Sequence, residues 1–247
     1  MRVIPFILTF LLLINTGFAQ PVDLSKDSAP VKVACIGNSI TYGSGIDNRP
    51  LNSYPAQLQR MLGDKWIVRN FGVGGRTMLK KGDRPYWNEE AYTQAKDFLP
   101  DVVIIKLGTN DTKPQNWKFG SEFYTDYKAM VKELKALTSH PQIFVCKPVP
   151  AYAVQWGIND SIIVHSVIPI VEKLAKEEKL HVIDLHTALS NKTELFPDHI
   201  HPNTEGAGIM AQTIYKALTG NEGTLIQAEY PGKPTIWHGF TKYEFQD

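Results

Sequence analysis

The sequence predicts an α/β fold in which a parallel sheet is covered on both faces by helices. Two observations predict it: short apolar runs rich in β-branched residues, and amphipathic stripes of helical period between them. The runs cover 31–36, 66–71, 102–107, 143–146 and 180–185. They are continuous rather than alternating, which suits strands buried on both faces. After the first run, Leu58, Met61 and Leu62 make a short stripe, with Ser53 near its start and Gly63 at its end, where capping residues are expected. A longer stripe follows the third run, through Phe123, Tyr127, Met130, Val131, Leu134 and Leu137. Val164, Val167, Ile168, Val171 and Leu174 form another, which must begin near Pro169 or kink there. Ile209, Ile214 and Leu218, closed by Gly220, form the last. Ligands of such sheets bind at the carboxyl ends of the strands, so chemistry is expected just after these runs.

Ahead of the first strand, Arg2 precedes an almost wholly apolar segment over residues 3–14, and Gly17 and Ala19 follow. This pattern is that of a secretory signal peptide over 1–19, and it predicts a secreted or periplasmic protein. A retained anchor is the competing reading, but the run is short of the ~20 residues that a span needs. No cysteine stands at the cleavage point, so no lipid-modified terminus is indicated. Removing 19 of the 247 residues leaves 228, enough for one substantial domain, expected over 20–220. Arg2 is one of 26 basic residues against 25 acidic ones, so the remaining chain is formally neutral. That balance offers no footprint for nucleic acid, and nothing after the leader is apolar enough to span a bilayer. Beyond Gly220, glycines, prolines and the aromatics Trp237, Phe240, Tyr243 and Phe245 mark residues 221–247 as a tail or the start of a further segment.

Four segments that follow strands carry reactive or ligand-approaching residues. The first run leads into Gly37-Asn38-Ser39-Ile40-Thr41, which exposes a serine over the end of a central strand. The second leads into Asn70-Phe71-Gly72-Val73-Gly74-Gly75-Arg76-Thr77, where glycines let the backbone approach a ligand. A dinucleotide fingerprint would need glycine at Thr77, so that reading fails. The third run ends in Gly108-Thr109-Asn110-Asp111, and Asn110 supplies an amide donor. Ahead of the last helix stands Pro197-Asp198-His199-Ile200-His201-Pro202-Asn203, in which an acid three residues before a histidine can hold its imidazole in one tautomer. Asp198, His199, His201 and His186 also invite a metal reading. It lacks an acidic or cysteine ligand set at a recognisable spacing.

Together the four segments resemble the SGNH (GDSL-like) hydrolases, in the family's order and over nearly all of the chain from the first strand to about Leu218. The resemblance implies a three-layer α/β/α sandwich with a five-stranded parallel sheet in the flavodoxin-like order 2-1-3-4-5. It makes Ser39 the nucleophile, His201 its base and Asp198 the acid that orients the base. It makes the Ser39 N–H, the Gly75 N–H and the Asn110 side chain the oxyanion donors. It implies a carboxylic ester hydrolase that needs no metal or organic cofactor. Many members carry Gly-Asp-Ser-Leu at the first block, whereas this chain has Asn38 and Ile40. The stretch 37–45, with Tyr54-Pro55-Ala56-Gln57-Leu58, is similar to bacterial carbohydrate O-acetylesterases of sialate or xylan type.

The residue types suit acyl transfer. A serine hydroxyl needs an adjacent base to attack, and a histidine can take its proton and return it to the leaving alcohol. His199 competes as base, but the spacing from Asp198 and the resemblance favour His201. Asp184 competes as orienting acid, although an aspartate at a strand end more often caps the next turn, and Asp111 reads as bracing for its loop. Arg76 is a candidate for a substrate carboxylate, such as that of a sialic or uronic acid, against the plainer reading of a solvated surface side chain. Trp87, Trp117, Tyr152 and Trp156 lie in loops after strands, and the last three join Arg76 as candidate substrate contacts. The predicted substrate is a short acyl ester, an O-acetyl group on a glycan. A lysophospholipase or thioesterase on the same fold and a non-catalytic sugar-binding module are the alternatives.

Cys35 and Cys146 are the two cysteines. In an exported protein they invite a disulfide. The strand order implied by the resemblance places another strand between theirs. Two steps of ~4.8 Å put them ~9.6 Å apart, beyond the ~7 Å between Cα atoms that a disulfide tolerates. Free thiols are therefore expected.

Overall fold

All five apolar runs form strands. In the computed structural model, which describes Val22 and residues 29–227, these are β1 (Val31–Gly37), β2 (Trp66–Gly72), β3 (Val102–Lys106), β4 (Gln142–Lys147) and β5 (His181–Asp184). They pair in parallel, in the order β2-β1-β3-β4-β5. The helices are α1 (Ser39–Tyr42), α2 (Arg49–Asn52), α3 (Tyr54–Leu62), α4 (Glu90–Asp97) and α5 (Pro114–Trp117), then α6 (Phe123–Lys135), α7 (Asp160–Ile162), α8 (Ile168–Glu178), α9 (Leu185–Leu189) and α10 (Thr204–Thr219). The expected leader and residues 228–247 of the tail lie outside the described residues. Among the described residues, no helix is long and apolar enough to cross a membrane.

The continuous apolar runs have a direct cause. Cys35, Ile104, Phe144 and Cys146 face one layer, against Leu58 of α3 and Met210, Ile214 and Leu218 of α10. Their neighbours Ala34, Ile36, Val103, Ile105 and Val145 face the other, against Tyr92 of α4, Tyr127 and Met130 of α6, and Val171 and Leu174 of α8. Both sets are almost fully buried, and each large side chain so placed contributes roughly 1.5–3 kcal/mol. The two edge strands depart from this pattern. Arg69 on β2 and Val182 on β5 are exposed, because an edge strand is sheltered from one side only.

Pro169 sits in the first turn of α8. The turn ahead of it, Ile163–Val167, is π-helical, so the apolar stripe through 164–174 is a composite of two segments. Helix α4 was not expected from the sequence. It buries only Tyr92 and Ala95, too few for a readable stripe.

Cys35 and Cys146 are buried free thiols on β1 and β4, with β3 between them. Burial pushes both thiols far above their ordinary range, which leaves them protonated and poorly reactive. Thiol titration is expected to count two groups in the denatured, unreduced protein and close to none in the native protein. A count of zero after denaturation would contradict both the pairing state and the strand order.

Candidate active site

The site is assembled from the carboxyl ends of β1, β2 and β3 and the loop that enters α10. At the end of β1 the chain turns at Gly37, where a Cβ would stand 2.0 Å from Thr41 Oγ1 and 2.8 Å from the Lys106 carbonyl. Only glycine fits there. Asn38 then caps α1, its Oδ1 accepting the Ile40 N–H at 3.1 Å, and Ser39 opens the helix. The end of β2 supports α1 from below. A Cβ on Gly72 would meet Tyr42 N at 2.2 Å, and Asn70 Nδ2 donates to the Thr41 carbonyl at 2.9 Å.

From the other end of the chain, 162 residues away, His201 Nε2 lies 2.8 Å from Ser39 Oγ. Its Nδ1 lies 2.7 Å from Asp198 Oδ2. Asp198 Oδ1 accepts the N–H groups of Ile200 (2.9 Å) and His201 (2.6 Å), so the acid is fixed to the backbone of the residue it serves. A proton on Nδ1 facing the carboxylate leaves Nε2 as the acceptor for the serine hydroxyl. Burial pushes the Asp198 carboxyl up, but the bonds from the His201 backbone and ring and from Ile200 outweigh it. The carboxyl therefore lies below its usual range and is ionised at neutral pH. Asn203 caps α10 by accepting the Gly206 N–H at 3.0 Å, which anchors the end of this loop.

Opposite the serine stand Gly75, in the left-handed region with φ 79°, and Asn110, almost fully buried. Asn110 Nδ2 donates to the Arg76 carbonyl at 3.1 Å, which ties the third block to the second. An amide has two N–H hydrogens, so one remains for the cleft. Asp111, fully buried, accepts from Met78 N (3.1 Å) and Leu79 N (2.7 Å) and braces the same loop. Its burial raises the carboxyl to about 6 against the lowering effect of those bonds. Ser39, His201, Gly75 and Asn110 line one cleft of about 280 Å³, together with Ser44, Gly74, Lys113, Trp156 and Ile158.

The GDSL-like lipase/acylhydrolase family model matches residues 35–209, a span that begins on β1 and takes in Ser39, Asn110 and His201. The chain belongs to this family. It is 48% identical over 220 residues to an acetylxylan esterase from Xylanibacter ruminicola, covering 82% of this chain and 46% of that protein. The chain spans about half the length of the curated relatives it matches. Among solved structures, Est24, a carbohydrate acetylesterase from Sinorhizobium meliloti, aligns with a TM-score of 0.62 at 19% identity, over 75% of this chain and 97% of that one. The inhibitor-bound aryl esterase of M. smegmatis aligns with a TM-score of 0.63 at 18% identity, over 75% and 97%. At these identities the two structures show a shared fold and no more.

Other residues expected at this GDSL-like site fall elsewhere. Arg76 does not line the cleft. Its Nε pairs with Glu89 at 2.8 Å and its Nη1 donates to the Gly74 carbonyl at 2.6 Å, so its charge is spent on its own loop. Trp117 packs against Phe123 in the second core layer, and Trp87 donates its indole N–H to the Met78 carbonyl at 2.8 Å. Tyr152 stacks edge-on against Phe196, while its hydroxyl bonds the Leu189 carbonyl and the Lys192 N–H. Of the four aromatics, Trp156 alone lines the cleft. His199 is exposed and, among the described residues, bonds through its backbone only. Asp184 caps α9 by accepting the Thr187 N–H at 2.8 Å and pairs with Lys147. His186 sits by Asp160 instead, and among the described residues no group of three or more candidate ligands could hold a metal ion.

Ser44, Lys113 and Ile158 line the cleft and were not anticipated. Lys113 and Ser44 lie within a few residues of the recognised blocks, which is a usable signal. Ile158 carries none.

Proposed function

We propose that the protein is an exported serine esterase that removes acetyl groups from carbohydrates through an acyl-enzyme. The observation that carries this reading is the continuous line of hydrogen bonds from Asp198 through His201 to Ser39, opening into a small cleft. Ser39 Oγ attacks the ester carbonyl carbon and passes its proton to His201 Nε2. The N–H groups of Ser39 and Gly75 and the Asn110 amide receive the charge that develops on the carbonyl oxygen, each contributing ~3 kcal/mol. Collapse releases the sugar oxygen, which takes the proton back from His201. Water, deprotonated by the same base, then frees acetate. Asp198 stabilises the imidazolium throughout and keeps its own charge.

The name of the acetylxylan esterase relative supports a glycan substrate of xylan type. A sialic acid receives less support, because Arg76 is committed to Glu89. Export rests on the apolar leader over 3–14, and N-terminal sequencing of exported protein tests it. Trp156 is the substrate platform in this reading. Its backbone lies in the left-handed region (φ 51°), unfavourable for a bulky side chain; the residue is 57% exposed, and its ring centroid lies 5.6 Å from that of His201. An exposed aromatic held in that conformation beside the base is placed to stack on a pyranose ring.

Acetate release from acetylated xylo-oligosaccharides, O-acetylated sialic acids and a chain-length series of p-nitrophenyl esters tests the proposal. Acetyl esters of the xylo-oligosaccharides should be preferred, and a preference for long acyl chains would transfer the protein to the lysophospholipase or thioesterase reading. Trp156→Ala should raise KM for the acetylated xylo-oligosaccharide about tenfold, equivalent to ~1.4 kcal/mol of lost stacking. Its kcat on p-nitrophenyl acetate should stay within about threefold of the parent's, since the aryl ester needs no sugar platform. Equal losses on both substrates would contradict the platform role.

A further inference from the structure

The third apolar run contains one residue that does not belong in a buried strand. Lys106 closes β3 and is fully buried. It lies directly across the sheet from Gly37, the residue at which β1 turns toward the serine. Among the described residues no carboxylate pairs with it. Its ammonium instead donates to Asn38 Oδ1 at 3.4 Å and to Thr109 Oγ1 at 3.1 Å. The first contact is on the turn that carries Ser39, and the second is on the turn that carries Asn110.

We propose that Lys106 is a positioning residue, whose buried ammonium ties the nucleophile turn to the oxyanion turn and locks the Asn38 amide that caps α1. The inference rests on the reading of Ser39 as nucleophile. Asn38 Oδ1 receives two donors, the Ile40 N–H and the Lys106 ammonium, while Asn38 Nδ2 is buried with no hydrogen-bond partner among the described residues. A turned-over amide would set its NH₂ group against both donors. Because a protonated lysine has no lone pair to offer, it enforces the orientation in which Asn38 caps the helix. Ser39 is the next residue, so its hydroxyl and its N–H inherit that orientation. A carboxylate at position 38, as in Gly-Asp-Ser-Leu, would form an ion pair with the Lys106 ammonium.

Holding the cation there is unfavourable. Burial pulls the Lys106 ammonium down from 10.5 to about 7. The folded pKa is depressed, so the penalty is complete below pH 7 and fades as the pH rises toward 10.5. A residue kept at a cost to stability is expected to serve the reaction.

The test first compares the parent enzyme with Ser39→Ala on p-nitrophenyl acetate. If Ser39→Ala keeps activity, the serine reading itself has failed, whatever the lysine variants do. Lys106→Met retains the length and removes the charge. It should lower kcat by about tenfold to a hundredfold, with KM within about threefold and Tm at about pH 6 equal to or above the parent's. A merely structural lysine would lower Tm along with kcat, and that result overturns the proposal, as does an unchanged kcat. Should Lys106→Met not fold, Asn38→Asp decides. An aspartate there still accepts the Ile40 N–H and forms an ion pair with the ammonium, so Tm at about pH 6 should rise by several degrees. A fall in Tm for Asn38→Asp would mean that no cation stands beside residue 38, and would overturn the proposal.

Discussion

Ser39→Ala is expected to leave a folded protein whose esterase kcat is lower by roughly 10⁵-fold, or about 7 kcal/mol of transition-state stabilisation. Folding should survive because, among the described residues, Ser39 Oγ bonds only His201, at the edge of the cleft. The cap of α1 is made by Asn38, and the fit of α1 on the sheet is set by Gly37 and Gly72. None of these depends on the hydroxyl. Steady-state rates on p-nitrophenyl acetate, with circular dichroism and Tm on both forms, check the expectation. Residual activity should remain, because Gly75 and Asn110 still face the carbonyl oxygen. A variant that keeps a tenth of the parent rate would remove the serine mechanism altogether.

His201→Ala should be nearly as damaging, at roughly 10⁴–10⁶-fold in kcat, because the two side chains act as a unit and losing either disables both. His199→Ala, two positions away, should change kcat by no more than about threefold. The contrast is sharp because both residues occupy the same loop and have the same side chain. They differ in direction. His201 points its Nε2 at Ser39 and its Nδ1 at Asp198. His199 takes the left-handed backbone conformation (φ 67°), and its contribution is the carbonyl that accepts from Tyr152 N at 2.8 Å. A larger loss in His199→Ala than in His201→Ala would reverse the assignment of the base.

The features legible in the sequence are those whose physics is local. A strand covered on both faces needs apolar residues without alternation, so β1, β3 and β4 announced themselves. A helix that buries one face needs a stripe, so α6 and α10 did too. Helix α4 buries two residues and left no stripe. The Asp198–His201 pair was legible because an acid three residues before a histidine can reach it within one loop, as it does at 2.7 Å. Asp184 was legible as a cap for the same reason, since its partner is three residues on.

The candidate substrate contacts were another matter. Arg76, Trp117, Tyr152 and Trp156 looked alike in sequence, as charged or aromatic residues in loops after strands. Glu89 claims Arg76, Phe123 claims Trp117 and Phe196 claims Tyr152. Trp156 is left facing the cleft by a left-handed backbone that no tryptophan prefers, held by Gly157 (φ 80°) beside it and by the Gln155–Ile158 bridge around it. Lys106 stands within the third apolar run and drew no attention there, because its burial depends on what packs over the end of β3.

The sequence by itself determined the layered α/β architecture and singled out Ser39, Asp198 and His201 as candidates for acyl transfer. Burial periodicity and contacts spanning three or four residues are written into adjacent positions. Only the tertiary structure decided that His201 meets Ser39 across 162 residues, that one tryptophan of the candidates faces the cleft, and that Lys106 lies under the nucleophile turn. Those contacts join segments remote along the chain. Their partners are chosen by the strand order and by the packing of helices on the sheet, which no local stretch encodes.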